Sequence, residues 1–251
     1  MYPDSRFRKT LIAFWNILKK DMSTYYLKPP NISWGIIFPL AWTLMFFIRT
    51  QEPIDVRAIL PGVIGMAILF GTTSMLAVTI TFERKQKAFD RLIISPNSLF
   101  VVIMAKTTGA ILFGFCNALV PILFSLFFTT LSGISWGYLF LSIFLISFTS
   151  TFLGLFIAVS VHEVFEAQTF SNFFRFPMIF LCGLFIPISS LPVFLRPLSH
   201  ILPLTYGVDI FRHAINNEGN MPLILNFFLL VLFALILYFF SMQNIKKKWI
   251  Y

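Results

Sequence analysis

Long uncharged runs constrain this chain more than any other feature. From Ala58 to Phe82, and again from Thr107 to His162, no Asp, Glu, Lys or Arg interrupts the sequence. An α-helix needs about 20 apolar residues to cross the hydrocarbon of a bilayer. Lipid offers backbone groups no partners, so a helix that satisfies its own hydrogen bonds is the natural way across. Composition agrees: 58% of the residues are hydrophobic, 12% are charged and the mean hydropathy is +0.85. A soluble domain of 251 residues would have nowhere to place 33 Phe. The expected fold is therefore an all-α integral membrane protein.

Six spans can be drawn, at Ile32–Ile48, Ile59–Thr81, Thr107–Thr129, Trp136–Val161, Phe173–Ile188 and Met221–Phe240. The whole chain, 1–251, reads as one membrane domain. Residues 1–31 precede the spans, 32–240 contain them and 241–251 form a basic tail. After the fifth span, "PISSLPVFLRPLSHILPLTYG" is apolar yet broken by prolines. It reads as a re-entrant hairpin at the outer face rather than a straight helix. Before the first span, Phe7, Leu11, Phe14, Trp15, Leu18, Met22 and Tyr25 recur at steps of three and four among basic residues. That spacing predicts an amphipathic helix in the membrane interface, in contact with lipid.

Lys and Arg concentrate on the cytoplasmic side of membrane proteins. Fifteen of the 19 basic residues fall in residues 1–31, 82–106, the fourth connection and the tail. Both termini are thus expected in the cytoplasm, in a multi-pass protein of the cell membrane. The formal charge of +9 is explained by topology and gives no reason to invoke nucleic acid. Cys116 and Cys182 lie in apolar runs and suggest neither a disulfide framework nor a metal site.

One segment breaks the pattern. "TFERKQKAFDRLIISP", residues 81–96, packs Glu83, Arg84, Lys85, Lys87, Asp90 and Arg91 together directly after the second span. Glu83 and Lys87 stand at i, i+4, which favours continuation of the helix. Phe89, Leu92 and Ile93 make a small apolar face, and Ser98 can cap the next helix. A topogenic loop would need only basic residues, whereas a short helix with a charged rim and an apolar knob suits docking to a cytoplasmic partner.

This segment resembles the helix between spans two and three of the type-2 ABC exporter permeases, whose typical pattern is E-R-x-x-G-T-x-E-R-L-x-x-S-P. Glu83, Arg84, Arg91, Leu92, Ser95 and Pro96 match it, while Lys87 replaces a small residue and Asp90 is the second acid. Residues 172–215 are similar to the same family's fifth span and outer hairpin, with Pro177, Phe180, Gly183, Pro187, Leu191, Pro192, Pro203, Leu204, Thr205, Tyr206, Asp209 and Arg212 on its pattern. The resemblance implies a permease that docks onto a separate ATPase subunit through Glu83, Arg84, Lys87, Phe89, Asp90, Arg91 and Leu92. It also implies pairing with a second copy or a paralogous permease. The substrate path would be lined by Thr72, Met75, Leu76 and Thr79 of span two and by Phe176, Phe180, Cys182 and Phe185 of span five. Pro187, Leu191, Pro192 and Tyr206 would form an outer gate.

The chain has no G-x-x-x-x-G-K-[ST] phosphate-binding loop. ATP and Mg are expected on the partner ATPase, with no cofactor or metal on this chain and no enzymatic activity of its own. The span interiors carry no Asp, Glu, Lys or Arg, with Arg175 placed near an end. That disfavours proton-coupled transport and a charged selectivity ring. "HEVFE", residues 162–166, is similar to a zinc helix but has Glu166 where the second His belongs. Ser199, His200 and Asp209 could be drawn as a triad, but without a nucleophile elbow. Phe and Met lining would suit an apolar or amphiphilic cargo such as a drug, antibiotic or lipid. A lipid-linked polysaccharide is the alternative cargo, and a nucleotide-independent channel or scaffold the alternative class. Ala67–Gly71 and Ala110–Gly114 are small-xxx-small pairs expected to pack internally.

Overall fold

The computed structural model describes residues 3–49, 55–94, 97–245 and 247–248. Ser95, Pro96 and Lys246 lie outside the described residues, as do the side chains of Arg6, Arg49 and Ile93. Every regular element among the described residues is helical.

Helix α1 (Pro3–Asp21) and a π-helical turn (Met22–Tyr26) lead into the first apolar stretch. The stripe on α1 is divided. Phe7, Leu11 and Trp15 are exposed, while Ile17 and Leu18 are buried, so one edge grips the bundle and the other stays exposed. Helix α2 (Pro29–Ile32), a second π-helical turn (Ser33–Ile37) and α3 (Phe38–Arg49) follow.

The bundle is organised around α4 (Val56–Lys85). Its 30 residues would span about 45 Å at 1.5 Å each, longer than the hydrocarbon core. It is apolar all round, the signature of a buried helix. Its continuous burial from Leu60 to Ala77 agrees. Helices α6 (Leu99–Ser125), α7 (Trp136–Ser160), α8 (Val164–Leu181) and α10 (Pro203–Asn216) all pack against it. The small pairs are internal, as expected: a Cβ at Gly71 would run into Asn117, and one at Gly114 into Thr72.

Helix α11 (Leu223–Ile245) packs on α7 and α10 and leaves Phe228, Leu235, Ile236 and Phe239 exposed. An exposed apolar surface of this kind would carry no solubility penalty inside a bilayer.

Among the described residues, four helices are long and apolar enough to cross a membrane: α4, α6, α7 and α11. Two of the six expected spans correspond to less regular pieces. The first is the shorter apolar stretch Ser33–Met45. The fifth is α8, which begins at Val164 and stops at Leu181 instead of running from Phe173 to Ile188. Glu166, Gln168, Asn172 and Arg175 dilute the apolar pattern of its first two thirds. Beyond Leu181 the chain is no longer regular helix, and Cys182 and Leu184 are buried by packing. Gly183 at φ +76° turns the chain in the left-handed region that glycine tolerates.

The proline-rich stretch then breaks into a short turn (Ile188–Ser190), α9 (Arg196–Ile201) and α10. The carbonyl of Leu184 lies against Gly62 near the start of α4, so this hairpin sits at the opposite end of the bundle from Glu83. Asp209 fixes it. Its carboxylate accepts hydrogen bonds from the Asn220 and Met221 backbone amides at 2.8 and 3.1 Å and from Asn226 Nδ2 at 2.7 Å.

Candidate functional site

At the end of α4 the chain turns sharply. Lys87 adopts φ +56°, uncommon for a residue with a Cβ, and a separate helix, α5 (Ala88–Ile94), follows it. Ser98 caps the following helix, accepting from Val101 N at 3.4 Å. The expected i, i+4 continuation through Lys87 is therefore replaced by a helix end at Lys85.

Glu83 has different partners from the one its spacing suggested. Its carboxylate pairs with Lys20 and Lys106, and Lys106 Nζ also lies 3.0 Å from Asp21 Oδ2. Lys20 Nζ closes the ring 3.3 Å from Asp21 Oδ1. Glu83, Lys106 and Asp21 are fully buried, and Lys20 is the one member that reaches the surface. Two acids and two bases give a neutral cluster, which makes burial of ionised groups tolerable. Burial alone would lower the Lys20 pKa, but the carboxylates of Glu83 and Asp21 outweigh it and hold it above its ordinary value. The cluster joins α1, the end of α4 and the first turns of α6. Sequence reasoning missed it, having used Lys20 and Lys106 only as topological charges. The available signals were Asp21 directly after two lysines in the basic N-terminal segment and a Lys that closes a charged segment.

Phe89 is also a correction. It is fully buried in a core with Ile17, Tyr26, Leu76, Ile80, Val102 and Phe113, so it anchors α5 rather than projecting from it. The exposed rim is formed by Lys87, Asp90 and Arg91, with Ile94 at 84% exposure as its apolar point. Arg84 and Leu92 are half-buried. Thus, of the residues assigned to docking, Glu83 and Phe89 position the element and Lys87, Asp90 and Arg91 face outward.

The turn between α7 and α8 is bridged to the end of α4 by Glu163 and Lys85 at 2.5 Å. Glu166 folds back to accept from the His162 and Glu163 backbone amides at 2.9 and 3.1 Å, completing a capping box. Those two bonds hold its carboxyl below the usual range. The zinc-helix reading of "HEVFE" gives way to this cap.

The expected substrate path divides. Thr72, Met75, Leu76 and Thr79 are buried within the bundle, and so is Cys182. Their side chains are taken up by packing: Thr72 bonds the Ile68 carbonyl at 2.9 Å, for example. Phe176 and Phe180 are about half exposed on α8, and Phe185 is partly buried.

Arg175 is not near an end. Its guanidinium lies 4.4 Å above the Phe70 ring and donates to Ser74 Oγ at 3.0 Å, beside the middle of α4.

In the hairpin, Pro187 and Pro192 are exposed while Leu191 and Tyr206 are buried. Tyr206 donates to the His200 carbonyl at 2.6 Å. Arg196 and Arg212 are spent on carbonyls, including that of Leu191 at 3.0 Å. Asp209 is occupied by the start of α11 and Ser199 by the Leu195 carbonyl, so no Ser-His-Asp relay is assembled.

A buried central helix, an apolar outer surface and a short charged helix beyond them define a polytopic membrane protein. Comparison with known proteins gives the class a family. The description "ABC-2 type transporter" matches residues 12–216, and the chain belongs to that family as a permease subunit. It is 25% identical over 189 residues to the inner membrane transport permease YadH of Escherichia coli K12, covering 75% of this chain and 74% of that one. It is 23% identical over 178 residues to the probable multidrug ABC transporter permease YbhR of the same organism, covering 67% and 46%. Nodulation protein J of Sinorhizobium fredii is 30% identical over 79 residues, about a third of each chain.

Proposed function

We propose that this chain is one half of the translocation path of an ATP-driven exporter, paired with a second permease and driven by separate ATPase subunits. The observation that carries the reading is the neutral charge cluster beneath α5. An exposed docking rim is useful only if force on it reaches the spans, and here α5 is anchored by Phe89 while α4, α1 and α6 are tied by Glu83, Lys20, Asp21 and Lys106. Closure of the ATPases would move α5, α1 and the end of α4 as a unit and pass that motion along α4. ATP and Mg belong to the ATPase.

The cargo we favour is an apolar or amphiphilic small molecule, because α8 offers Phe176 and Phe180 at its surface and YbhR is named for multidrug transport. Both termini and α5 lie in the cytoplasm on the charge distribution, and the hairpin closes the outer end.

The test is co-purification followed by transport. Wild-type permease should hold a stoichiometric ATPase and export an amphiphilic dye from loaded vesicles when ATP is present. Asp90→Lys with Arg91→Glu reverses the rim and should abolish both without lowering membrane insertion. Undiminished ATPase retention by that variant would remove the docking role.

A further inference from the structure

Arg175 is a cation with no carboxylate within ion-pair distance among the described residues. The residue is 1% exposed. One amino group bonds Ser74 Oγ at 3.0 Å, the other bonds Asn172 Oδ1, its face covers Phe70, and its Nε, also buried, has no partner. Among the other buried charges, Glu83, Asp21 and Lys106 come with their opposites and Asp209 is satisfied by amide donors. A guanidinium does not escape by losing its proton, and neutral oxygens and a ring face only partly compensate it. An unpaired ion at such a position marks a functional site in membrane helices.

We infer that Arg175 receives the anionic group, carboxylate or phosphate, of an amphiphile whose apolar body lies along Phe176 and Phe180, making it a specificity-determining residue of the path. Geometry supplies the route. Asn172 is half-buried and bonds the guanidinium from the same helix, one turn before it. Turning its amide aside frees one amino group toward the exposed side of α8, and the idle Nε adds a second donor for two-point binding of an anion. Phe176 and Phe180 lie one and two turns from Asn172 on that side. The inference rests on the export reading only in naming the anionic molecule as cargo.

The experiment compares dodecyl phosphate with dodecylphosphocholine, which share a tail, on purified full-length permease in neutral nanodiscs. Wild type should bind the phosphate at least ten-fold more tightly, and inorganic phosphate alone should bind no better than the phosphocholine. Arg175→Gln should erase the preference, and Arg175→Lys should keep part of it.

Because Arg175→Gln could disturb folding, Ser74→Asp provides the second arm. It gives the guanidinium an internal carboxylate, so it should raise the melting temperature and abolish the anionic preference together. Equal binding of the two detergents by wild type, or a preference that survives in Ser74→Asp, overturns the inference. Adding phosphatidylglycerol tests for a resident lipid: if it occupies the site and ATP with the ATPase does not release it, the cargo assignment falls. Selective binding without any associated ATPase would count against the exporter reading and leave the anion site standing.

Discussion

Lys106 concentrates the account in one side chain. It is the buried base between two buried acids, and removing one partner of such a set strands the other charges at a cost of about 3–5 kcal/mol. Lys106→Met should therefore lower the melting temperature in detergent sharply. Adding Glu83→Leu leaves Lys20 with Asp21 and should restore most of the stability while transport stays lost. If the double variant also regained transport, the cluster would be scaffolding without a part in coupling. At Glu166 the pH dependence has a definite sign. Its carboxyl is held low by two backbone amides, so the cap is intact above the ordinary glutamate range, about pH 4. It fails as the pH drops through the depressed value. Hydrogen exchange at His162 and Glu163 should accelerate in that acid window, and Glu166→Ala should make it fast at every pH.

Among the elements, α5 shows what a sequence can and cannot tell. Its existence and its charged rim were legible because six ionised residues in a row of apolar spans need a wet surface. Which face of it turns inward was not, since Phe89 at 0% exposure and Ile94 at 84% are equally apolar on paper. The difference is set by contacts with Ile17, Tyr26 and Val102, which come from elements far apart in the chain. The same limit hid Arg175, whose neighbours Phe70 and Ser74 belong to a helix about a hundred positions earlier. It also concealed that Thr72 and Leu76 are consumed by internal packing. Small residues were more informative, because close helix approach leaves only Gly or Ala room. Gly114 lies against the Thr72 side chain, so Gly114→Val should force α6 off α4 at about 1–3 kcal/mol, read as a lowered melting temperature.

For the molecule as a whole, apolar run length was enough to recover the membrane class and four of the spans. The broken first stretch and the half-polar α8 blurred the other two, because their backbones are supported by neighbouring protein rather than by uniform apolar surface. Orientation makes its own prediction. In a background with Cys116 and Cys182 replaced, a membrane-impermeant thiol reagent added outside cells should label Val193→Cys on the hairpin and leave Lys87→Cys unlabelled until the cells are opened.

The most direct test of coupling is a cross-link at the α5 rim. A photo-reactive residue placed at Ile94, the most exposed apolar side chain of that element, should capture a nucleotide-hydrolysing subunit in intact membranes, with a yield that changes on adding ATP and vanadate. Capture of lipid alone, or of a protein that neither binds nor hydrolyses nucleotide, would contradict the account.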